Sequence, residues 1–485
     1  MLSDRDPLPP VLFPGKDASA RKWLAALKRA GRIRSAGPRL YVSVPARDAA
    51  RVVRAAWIAV VRELFPDALL SHRSALELKP TQEGALYLTS TTNRRVEYDG
   101  LTLVFGRGHA PRDDDPRFAG VPMSSRARAF LENLSTPRGS SRDRMLPRVE
   151  VENRLEEILR VEGEAALLAL RDHARTIARA FEWRTEMERL DGIIGTLLGT
   201  RRETLTSDRA RARALGQPYD AGCMHRLSLL AAELHARPLE RREEPSDAVD
   251  HIRNKAFFDA YLSNYIEGTT FEIEEAEAIV FDGQVPETRP IDAHDILGTF
   301  ALVSDPNEMR RTPRTADELL EILAQRHATL MERRPEASPG RFKEIANRAG
   351  ETRFVAPELV EGTLREGFRL YESLEPGMPR AAFMMFLVSD VHPFVDGNGR
   401  IARVMMNAEL TAAGEATVII PTVFRDDYVN ALRALTRRDR PDPMIRALLR
   451  AQHASTLDFA GYPRALSELR RRNWFAEPDE AKLIV

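Results

Sequence analysis

Residues 392 to 403 have the sequence HPFVDGNGRIAR, and this stretch determines how the rest of the chain is interpreted. The apolar run from Ala382 to Val388 precedes it and is typical of a buried helix, which should end before the proline of the stretch. Ile401 and Val404 follow at helical spacing, so a second helix is predicted to begin near Gly399. The stretch is therefore predicted to be a loop that leads into a helix N-terminus.

The glycine-rich part of this loop is suited to binding phosphate. Unpaired backbone N–H groups at a helix N-terminus attract anions, and Gly397 and Gly399 would let the backbone approach a phosphate closely. Arg400 and Arg403 are three residues apart on one face of the predicted helix, where their guanidinium groups could hold phosphate oxygens. The pattern predicts a polyphosphate site.

Two further side chains in the same stretch carry chemistry. His392 is the group that titrates near neutral pH, which makes it the natural general base. Asp396 offers a hard oxygen to Mg²⁺, which needs one or two carboxylates when phosphates supply other ligands. Any one of these residues would be unremarkable in an ordinary loop. Base, metal ligand, anion site and two arginines within twelve consecutive residues favour an active site.

The stretch resembles the active-site motif of the Fic family and matches it at every fixed position. The resemblance covers roughly residues 250–450 and implies a helical Fic core. It implies that His392 deprotonates a hydroxyl group of a target, which then attacks the α-phosphate of a nucleotide. It also implies that Phe394 anchors the loop and that Asn398 contacts the α-phosphate. The remaining implied contacts are Mg²⁺ at Asp396, the anion nest at Gly397 and Gly399, and the outer phosphates at Arg400 and Arg403.

The two glycines bear on which group is transferred. Doc-type members, which phosphorylate, carry Ala and Lys at the positions of Gly397 and Gly399. The resemblance therefore implies a protein adenylyltransferase that transfers AMP from ATP to a Ser, Thr or Tyr hydroxyl of a target protein. Phosphocholine-transferring members share the motif, so a different donor, such as a UMP or phosphocholine donor, stays open. A reversing, de-AMPylating activity stays open as well.

A second segment, Ser263 to Gly268 (SNYIEG), resembles the inhibitory pattern of the family. On a helix, Ser263 and Glu267 would share a face, and Gly268 suits a helix C-terminus. The resemblance implies that Glu267 pairs with Arg403 and takes the arginine that would otherwise hold the γ-phosphate. The alternative is a surface glutamate followed by a helix-ending glycine. The first interpretation predicts an enzyme that is nearly silent at rest.

Two other segments have weaker counterparts in the family. Residues 341–357 resemble the flap, a hairpin that pairs with the target backbone by strand addition. Arg353, Phe354 and Val355 would then contact the target, although an ordinary surface hairpin would give the same pattern. Tyr428 lies in a segment that resembles one near the nucleotide base, so it could contact adenine or simply pack between helices.

The amino-terminal region is predicted to be α+β. Residues 18–47 contain eight Lys or Arg and no acid, with a helix around Leu24 and a strand beginning at Arg39. Two strands, 85–90 and 101–105, are expected on either side of a polar turn. Short segments within residues 20–135 resemble AbiEi-type antitoxin and regulator proteins, which begin with a winged helix.

This second resemblance implies DNA binding by the basic side chains. A solvated basic face, or a module that recognises the target protein, would account for the same residues. A DNA-binding regulator of toxin–antitoxin type, in which the Fic domain serves control, is therefore the rival interpretation of the whole chain.

The predicted fold is mainly α. An α+β winged-helix-like module, residues 1–135, precedes a helical segment, residues 148–245, across a stretch of linker composition. The Fic domain follows at residues 250–460, with a small β-hairpin flap, and residues 461–485 form a tail.

Composition sets the remaining expectations. The chain is 43% apolar and 30% charged, with 72 basic and 72 acidic side chains, so its global charge does not point to nucleic acid. No apolar run is long enough for a transmembrane helix, and the N-terminus does not resemble a secretory signal. The lone Cys223 fits a reducing compartment, so a cytoplasmic protein without a membrane partner is expected. Fic proteins of this subgroup often form homodimers, which leaves a homodimer open.

Overall fold

The computed structural model describes residues 8–15, 17–136 and 143–485. The chain divides into two units, Met1–Ala214 and Leu215–Val485. Helices predominate, as predicted. None of the helices in the described ranges is long and apolar enough to cross a membrane.

The first unit combines nine short strands with helices. The strands are β1 (Val11–Leu12), β2 (Arg34–Gly37), β3 (Leu40–Val42), β4 (Leu69–Leu70), β5 (Ala85–Ser90), β6 (Arg94–Tyr98), β7 (Leu101–Arg107), β8 (Arg117–Phe118) and β9 (Val121–Pro122). The helices are α1 (Ala18–Arg29), α2 (Ala46–Ala55), α3 (Trp57–Leu64), α4 (Arg73–Glu77), α5 (Arg126–Asn133), α6 (Arg148–Glu162), α7 (Glu164–Phe181), α8 (Arg184–Leu197) and α9 (Asp208–Ala214). The sheets have the strand orders β1-β3-β2, β4-β5-β7-β6 and β8-β9.

The prediction of a polar turn between the strands at residues 85–90 and 101–105 is wrong. This segment contains strand β6, which pairs antiparallel with β7 across the turn at Gly100, while β5 pairs parallel with β7. The arginines Arg94 and Arg95 made this segment look like a turn. They lie on an exposed edge strand, where charged side chains are tolerated and discourage pairing with other chains.

The amino-terminal basic segment forms helix α1 and the β2–β3 hairpin. One helix, α1, precedes this hairpin in the described residues, whereas a winged helix has two further helices before the one at Arg21. Arg34 is paired with Asp99 at 2.8 Å, so not every basic side chain of the segment is free to meet a phosphate. The winged-helix resemblance and DNA binding stay predictions.

The second unit is built from helices and one small hairpin. The helices are α10 (Ala221–Ala236), α11 (Val249–Ile266), α12 (Ile273–Asp282), α13 (Pro290–Val303), α14 (Ala316–Leu330), α15 (Val360–Glu372), α16 (Met378–Val391), α17 (Asn398–Ala412), α18 (Arg425–Arg438), α19 (Asp442–Ser455) and α20 (Tyr462–Arg471). The hairpin strands are β10 (Arg348–Ala349) and β11 (Thr352–Arg353).

The division between the units differs from the boundaries predicted at residues 135–148 and 245–250. Apolar side chains of α5 and α6, such as Phe130 and Leu155, lie in one core with α7 and α8. Leu227 and Leu230 of α10 instead lie in the core of the second unit. The predicted tail also joins that core, where Trp474 is fully buried. Composition marked the linker, but packing determined which helices belong together.

Helix α16 lies at the centre of the second unit, because residues 381–388 are all buried. A helix that is apolar on every side must be surrounded by other elements. Helix α17 packs against it, and the two are joined by the loop of residues 392–397, which places the motif at one end of this central pair.

Candidate active site

His392 caps the C-terminus of α16 in the left-handed conformation, with φ 53° and ψ 59°. Its backbone N–H donates to the Val388 carbonyl at 2.9 Å. Its Nδ1 lies 3.3 Å from the Ser389 carbonyl, an acceptor, which assigns the ring proton to Nδ1 and leaves Nε2 free to accept one. The ring of Phe354 stacks on the imidazole at 3.7 Å between centroids.

The surroundings of His392 keep it neutral. Burial is the main cause that lowers the pKa of His392 to about 4; the positive charge of Lys343 acts in the same direction, and the Ser389 carbonyl acts in the opposite direction. An imidazole that is neutral over the physiological range can accept a proton at any time. The ring is therefore in the protonation state that a general base requires.

The loop after His392 is fixed by an aromatic anchor. Phe394 is fully buried and stacks on His327 at 3.7 Å, with the two rings almost parallel. The Nε2 of His327 lies 3.1 Å from the Asp396 carbonyl, and burial lowers the pKa of His327 to about 4. The anchoring expected of Phe394 thus has a partner, His327, that the sequence did not indicate.

Asn398 is placed differently from the expectation that it contacts the α-phosphate. Its Oδ1 accepts from the Phe394 N–H and its Nδ2 donates to the Phe394 carbonyl, both at 2.9 Å. The side chain is buried and closes the loop on itself. Because the side chain is occupied, Asn398 can contact a phosphate through its backbone N–H.

The N-terminus of α17, where the glycines predict an anion nest, presents backbone N–H groups without acceptors in the part of the chain that the structure describes. The backbone N–H groups of Asn398, Gly399 and Arg400 have no acceptor among the described residues. Gly397 adopts φ 75°, and a Cβ there would lie 2.9 Å from the Met331 sulfur. A Cβ on Gly399 would collide with Oε1 of Glu267, so this carboxylate lies directly over the nest.

Arg403 is held by the C-terminal turn of α11. Its Nη2 is 2.7 Å from Oε1 of Glu267 and donates to the Ser263 carbonyl at 2.9 Å, while its Nε donates to the Ser263 hydroxyl at 2.8 Å. Glu267 follows the last residue of α11, and Gly268 adopts φ 96° as the chain leaves the helix. The structure thus brings Ser263, Glu267 and Arg403 together.

Arg400 lies in a different environment from the outer-phosphate position expected for it. Its Nη1 forms an ion pair with Asp295 at 3.0 Å and donates to Asn264 at 3.2 Å. The side chain is buried, and Asp295 also pairs with Arg334 at 2.7 Å. A guanidinium bonded in this way supports the wall of the site. If Arg400 turned toward a phosphate, Asp295 would lose one of its two ion-pair partners.

Asp396 is the open carboxylate of the loop, with a side chain 60% exposed. The Gly397 N–H donates to its Oδ1 at 2.7 Å, which orients the group, and Oδ2 lies 3.7 Å from Arg400. No group of three or more metal-binding side chains occurs among the described residues. A single oriented carboxylate fits Mg²⁺ that is held mainly by phosphate and water oxygens.

The predicted flap is a short hairpin beside His392. Arg348 pairs with Arg353 and Ala349 with Thr352. Of the three residues expected to contact a target, Arg353 is exposed, Phe354 covers His392 and Val355 is buried in the core. Arg353 is therefore the residue of the three that is free to meet another chain.

Tyr428 is buried next to Arg403, and its hydroxyl interacts with the guanidinium. Burial raises the pKa of Tyr428 above its ordinary value. This placement favours the packing alternative for Tyr428 over an open contact with adenine.

Lys343 and Asn347 lie within the predicted flap, but the sequence indicated no individual role for either of them. The Nζ of Lys343 donates to Asn347 at 2.7 Å and to the Val391 carbonyl at 3.3 Å, and its backbone N–H donates to the Pro393 carbonyl at 2.8 Å. Asn347 donates to the Phe394 carbonyl at 2.9 Å. Together they bind the root of the hairpin to the backbone on both sides of His392. They lie more than forty residues before the motif, and a lysine and an asparagine at this spacing give no signal of their own.

Comparison with known proteins decides the family. Residues 317–410 match the model of the Fic/DOC family. A Fido domain-containing protein of Dictyostelium discoideum is 30% identical over 105 residues, which cover 21% of this chain and 73% of that protein. The chain belongs to the Fic/DOC family.

The Fic domain of this chain is also similar to adenylyltransferases. The protein adenylyltransferase fic-1 of Caenorhabditis elegans is 23% identical over 297 residues, 57% of this chain and 58% of that protein. The protein adenylyltransferase Fic of Nematostella vectensis is 29% identical over 207 residues, 41% and 47% of the two chains. This chain thus spans about half the length of these relatives. A solved structure of a Caenorhabditis elegans Fic-1 fragment matches 66% of this chain and 99% of its own, at 19% identity and a TM-score of 0.38.

Proposed function

We propose that the chain is an autoinhibited protein adenylyltransferase, which transfers AMP from ATP to a Ser, Thr or Tyr hydroxyl of a target protein. The observation that carries this proposal is the position of the Glu267 carboxylate. It lies over the anion nest at Gly399 and is bound to Arg403. The Glu267 carboxylate thus occupies a position in which an anionic group of the substrate would be bound.

His392 supplies the base for the transfer. Nε2 would take the proton of the target hydroxyl, whose oxygen forms a bond to the α-phosphorus as the bond to the bridging oxygen breaks and pyrophosphate leaves. The neutral imidazole and the fixed ring orientation support this role. The stacked Phe354 excludes water from one face of the ring.

The nest and Asp396 supply the sites for the nucleotide. The free N–H groups of residues 398–400 would hold phosphate oxygens, and Asp396 would hold Mg²⁺. The metal, when bound, would draw charge from the phosphates during transfer. Gly399 is needed because any side chain there would fill the space in which a phosphate must lie.

The brake consists of Ser263, Glu267 and Arg403. Arg403 is bonded to three acceptor atoms of the α11 turn. The γ-phosphate of ATP would therefore lack the Arg403 guanidinium as a partner and would be repelled by the Glu267 carboxylate. A charge-assisted contact of this kind is worth about 1.5–3 kcal/mol, enough to favour a non-productive nucleotide pose by about ten- to one hundredfold. The names of the adenylyltransferases that the chain resembles agree with this activity.

The test uses Glu267→Gly protein, a cell lysate as the source of targets, and ATP labelled at either the α- or the γ-phosphate. We expect protein labelling with the α-label and none with the γ-label. Labelling by γ-labelled ATP alone would indicate phosphoryl transfer, and labelling by neither would contradict the proposal. Labelled UTP and CDP-choline, run in parallel, test the other donors. A labelled protein that loses its AMP when returned to the wild-type chain would indicate the reversing activity instead.

The amino-terminal unit could deliver the enzyme to its target or to DNA, and we propose a cytoplasmic protein. Salt-dependent binding of a DNA duplex tests the second role, because phosphate contacts weaken steeply with salt. Absence of binding at low salt would remove the DNA-binding regulator from consideration. Sedimentation of the intact chain tests the homodimer.

A further inference from the structure

A cavity of about 430 Å³ lies beside the first half of α11, away from the motif. Its walls come from residues 244–247, from α11, and from the ends of α13 and α17. No residue of the segments 263–268 or 392–403 lines it. It is therefore separate from the nucleotide site proposed above.

Three charged or titratable groups in its wall satisfy one another. Glu244 accepts from Lys255 at 2.7 Å through both oxygens and from Nε2 of His251 at 2.9 Å. The Nδ1 of His251 accepts from the Phe459 N–H at 3.1 Å and lies 3.7 Å from the Asp458 carboxylate. The charges of Lys255 and Glu244 offset each other.

Asp259 is a buried carboxylate of the lining that forms no ion pair among the described residues. It is 8% exposed, and its Oδ2 accepts from Asn407 at 2.9 Å, but its Oδ1 has no donor within the part of the chain that the structure describes. Burial raises the pKa of Asp259 to about 6, since Arg403 and Lys255 only partly offset it. Because Asp259 lines the cavity, this oxygen can accept a hydrogen bond from a ligand that enters it.

The rest of the lining sets the character of such a ligand. Ile252, Val303 and Met309 give it an apolar surface. In addition to Asp259, the carboxylates of Asp247 and Glu415 line the cavity. Arg310, a lining cation without an ion pair among the described residues, is exposed. The balance is acidic, so the cavity favours a positive charge.

We propose that this cavity binds a small organic cation. An ammonium or guanidinium group donates to Oδ1 of Asp259, and an apolar body lies against Ile252, Val303 and Met309. The volume falls in the range of small-molecule sites, and few polar groups fix the orientation, as is usual for them.

The place of this site on α11 gives it a relation to the brake. Asp259, Ser263 and Glu267 follow one another at four-residue spacing on one face, about 12 Å from first to last. They contact Asn407, Arg403 and Gly399 in turn along α17. The cavity and the brake thus lie at opposite ends of one helix pair.

Calorimetry on the intact wild-type chain, without nucleotide, tests the proposal independently of any AMP transfer. Tryptamine and agmatine carry the two cationic groups, and tryptophol is a neutral analogue of tryptamine with nearly the same shape. We expect tryptamine to bind at least about tenfold more tightly than tryptophol, because of the charge-assisted hydrogen bond. Equal affinities for tryptamine and tryptophol, or binding of neither amine, would overturn the proposal.

Three variants of lining residues test whether the amine binds in this cavity. Asp259→Asn keeps an oxygen for Asn407 and should weaken tryptamine binding about tenfold, whereas Asp247→Asn, at the exposed edge, should change it less than about threefold. Thr411→Met places a longer side chain into the cavity with Asp259 intact and should abolish binding, which keeps the test valid if Asp259→Asn fails to fold. Thermal unfolding without ligand checks the fold of each variant. Unchanged binding in Asp259→Asn or in Thr411→Met would place the amine elsewhere.

Discussion

The active-site loop and the C-terminal turn of α11 meet at Arg403, but they are held in very different ways. Residues 392–398 are bound to their surroundings through His327, Lys343 and Asn347, and the Asn398 side chain closes the loop internally. Glu267 lies at a helix end with its side chain one-third exposed, and the described partner of its carboxylate is Arg403. The loop proposed to be catalytic is thus fixed by many contacts, whereas the carboxylate proposed to be inhibitory is held by one ion pair at the end of a helix.

Under the proposed function, this difference has a consequence for how inhibition would be released. A loop fixed by many contacts keeps its geometry whether or not the brake is engaged, so release needs no rebuilding of the site. A helix end whose last side chain is one-third exposed can move at small cost, since few buried contacts must be broken. Removal of a group from the loop should therefore destroy activity, and removal of Glu267 should raise it.

The largest effect is expected from His392→Ala in the Glu267→Gly background. Loss of the base should reduce the rate of AMP transfer by about one hundred- to ten-thousandfold. The rate of labelling with α-labelled ATP measures it. The exposed His453 provides a matched control, and His453→Ala should label like its parent. A His392→Ala protein that labels at the parental rate would show that the base is another group.

Glu267→Gly alone should raise labelling about ten- to one hundredfold over wild type, because it frees Arg403 and the nest. Glu267→Gln, which keeps the shape but not the charge, should give a smaller rise. The exposed loop residue Glu287 is the control, and Glu287→Gly should stay at the wild-type level. Equal rates for Glu267→Gly and wild type would mean that the turn of α11 is structural and does not restrain the enzyme.

The pH dependence of the released enzyme tests the environment of His392. An imidazole with an ordinary pKa of about 6.5 would be about 90% protonated at pH 5.5 and would lose about tenfold in rate. Burial lowers the pKa of His392 to about 4, and a lowered pKa keeps the ring neutral at pH 5.5. The rate should thus be nearly constant from pH 7.5 to 5.5. A tenfold decline over this interval would show that His392 is solvated during the reaction.

The smallest effect is expected from Lys343→Met in the same background. The variant loses the bonds to Asn347 and to the Val391 carbonyl, so His392 is less well placed and kcat should decrease about fivefold with the KM for ATP unchanged. The positive charge of Lys343 lowers the pKa of His392, so the acid limb of the pH profile should also move to higher pH.

Arg348→Met, which removes an exposed cation from the adjacent hairpin, is the matched control for Lys343→Met and should change kcat less than about twofold. An unchanged pH profile in Lys343→Met would reduce Lys343 to a residue that merely supports the hairpin.

The sequence indicated much of the site and less of the fold around it. The anion nest and the proximity of Glu267 to Arg403 followed from residues close together in sequence or from a family pattern. Arg400 and Asn398 were assigned to phosphates because the motif presents them beside the nest, yet Asp295 and the Phe394 backbone bind them in the structure. A short motif cannot show which of its polar groups the surrounding helices will use.

Tertiary packing also decided the boundaries between units. Helix α10 and the C-terminal tail belong to the core of the second unit, although composition separated both from it. Strand β6 formed from a polar segment because β7 offered it an edge. Local composition indicates which secondary structure a segment favours. Whether that segment packs into a given core depends on residues that lie far away in sequence.

By itself, the sequence determined the groups on which the proposed chemistry depends: a histidine, a carboxylate and two glycines lie within twelve residues, a distance that a short loop spans. Only the tertiary structure decided the lowered pKa of His392, the place of Glu267 over Gly399, and the burial of Asp259 beside a cavity. Each of these depends on burial and on contacts between distant segments, and such properties arise only when the helices pack.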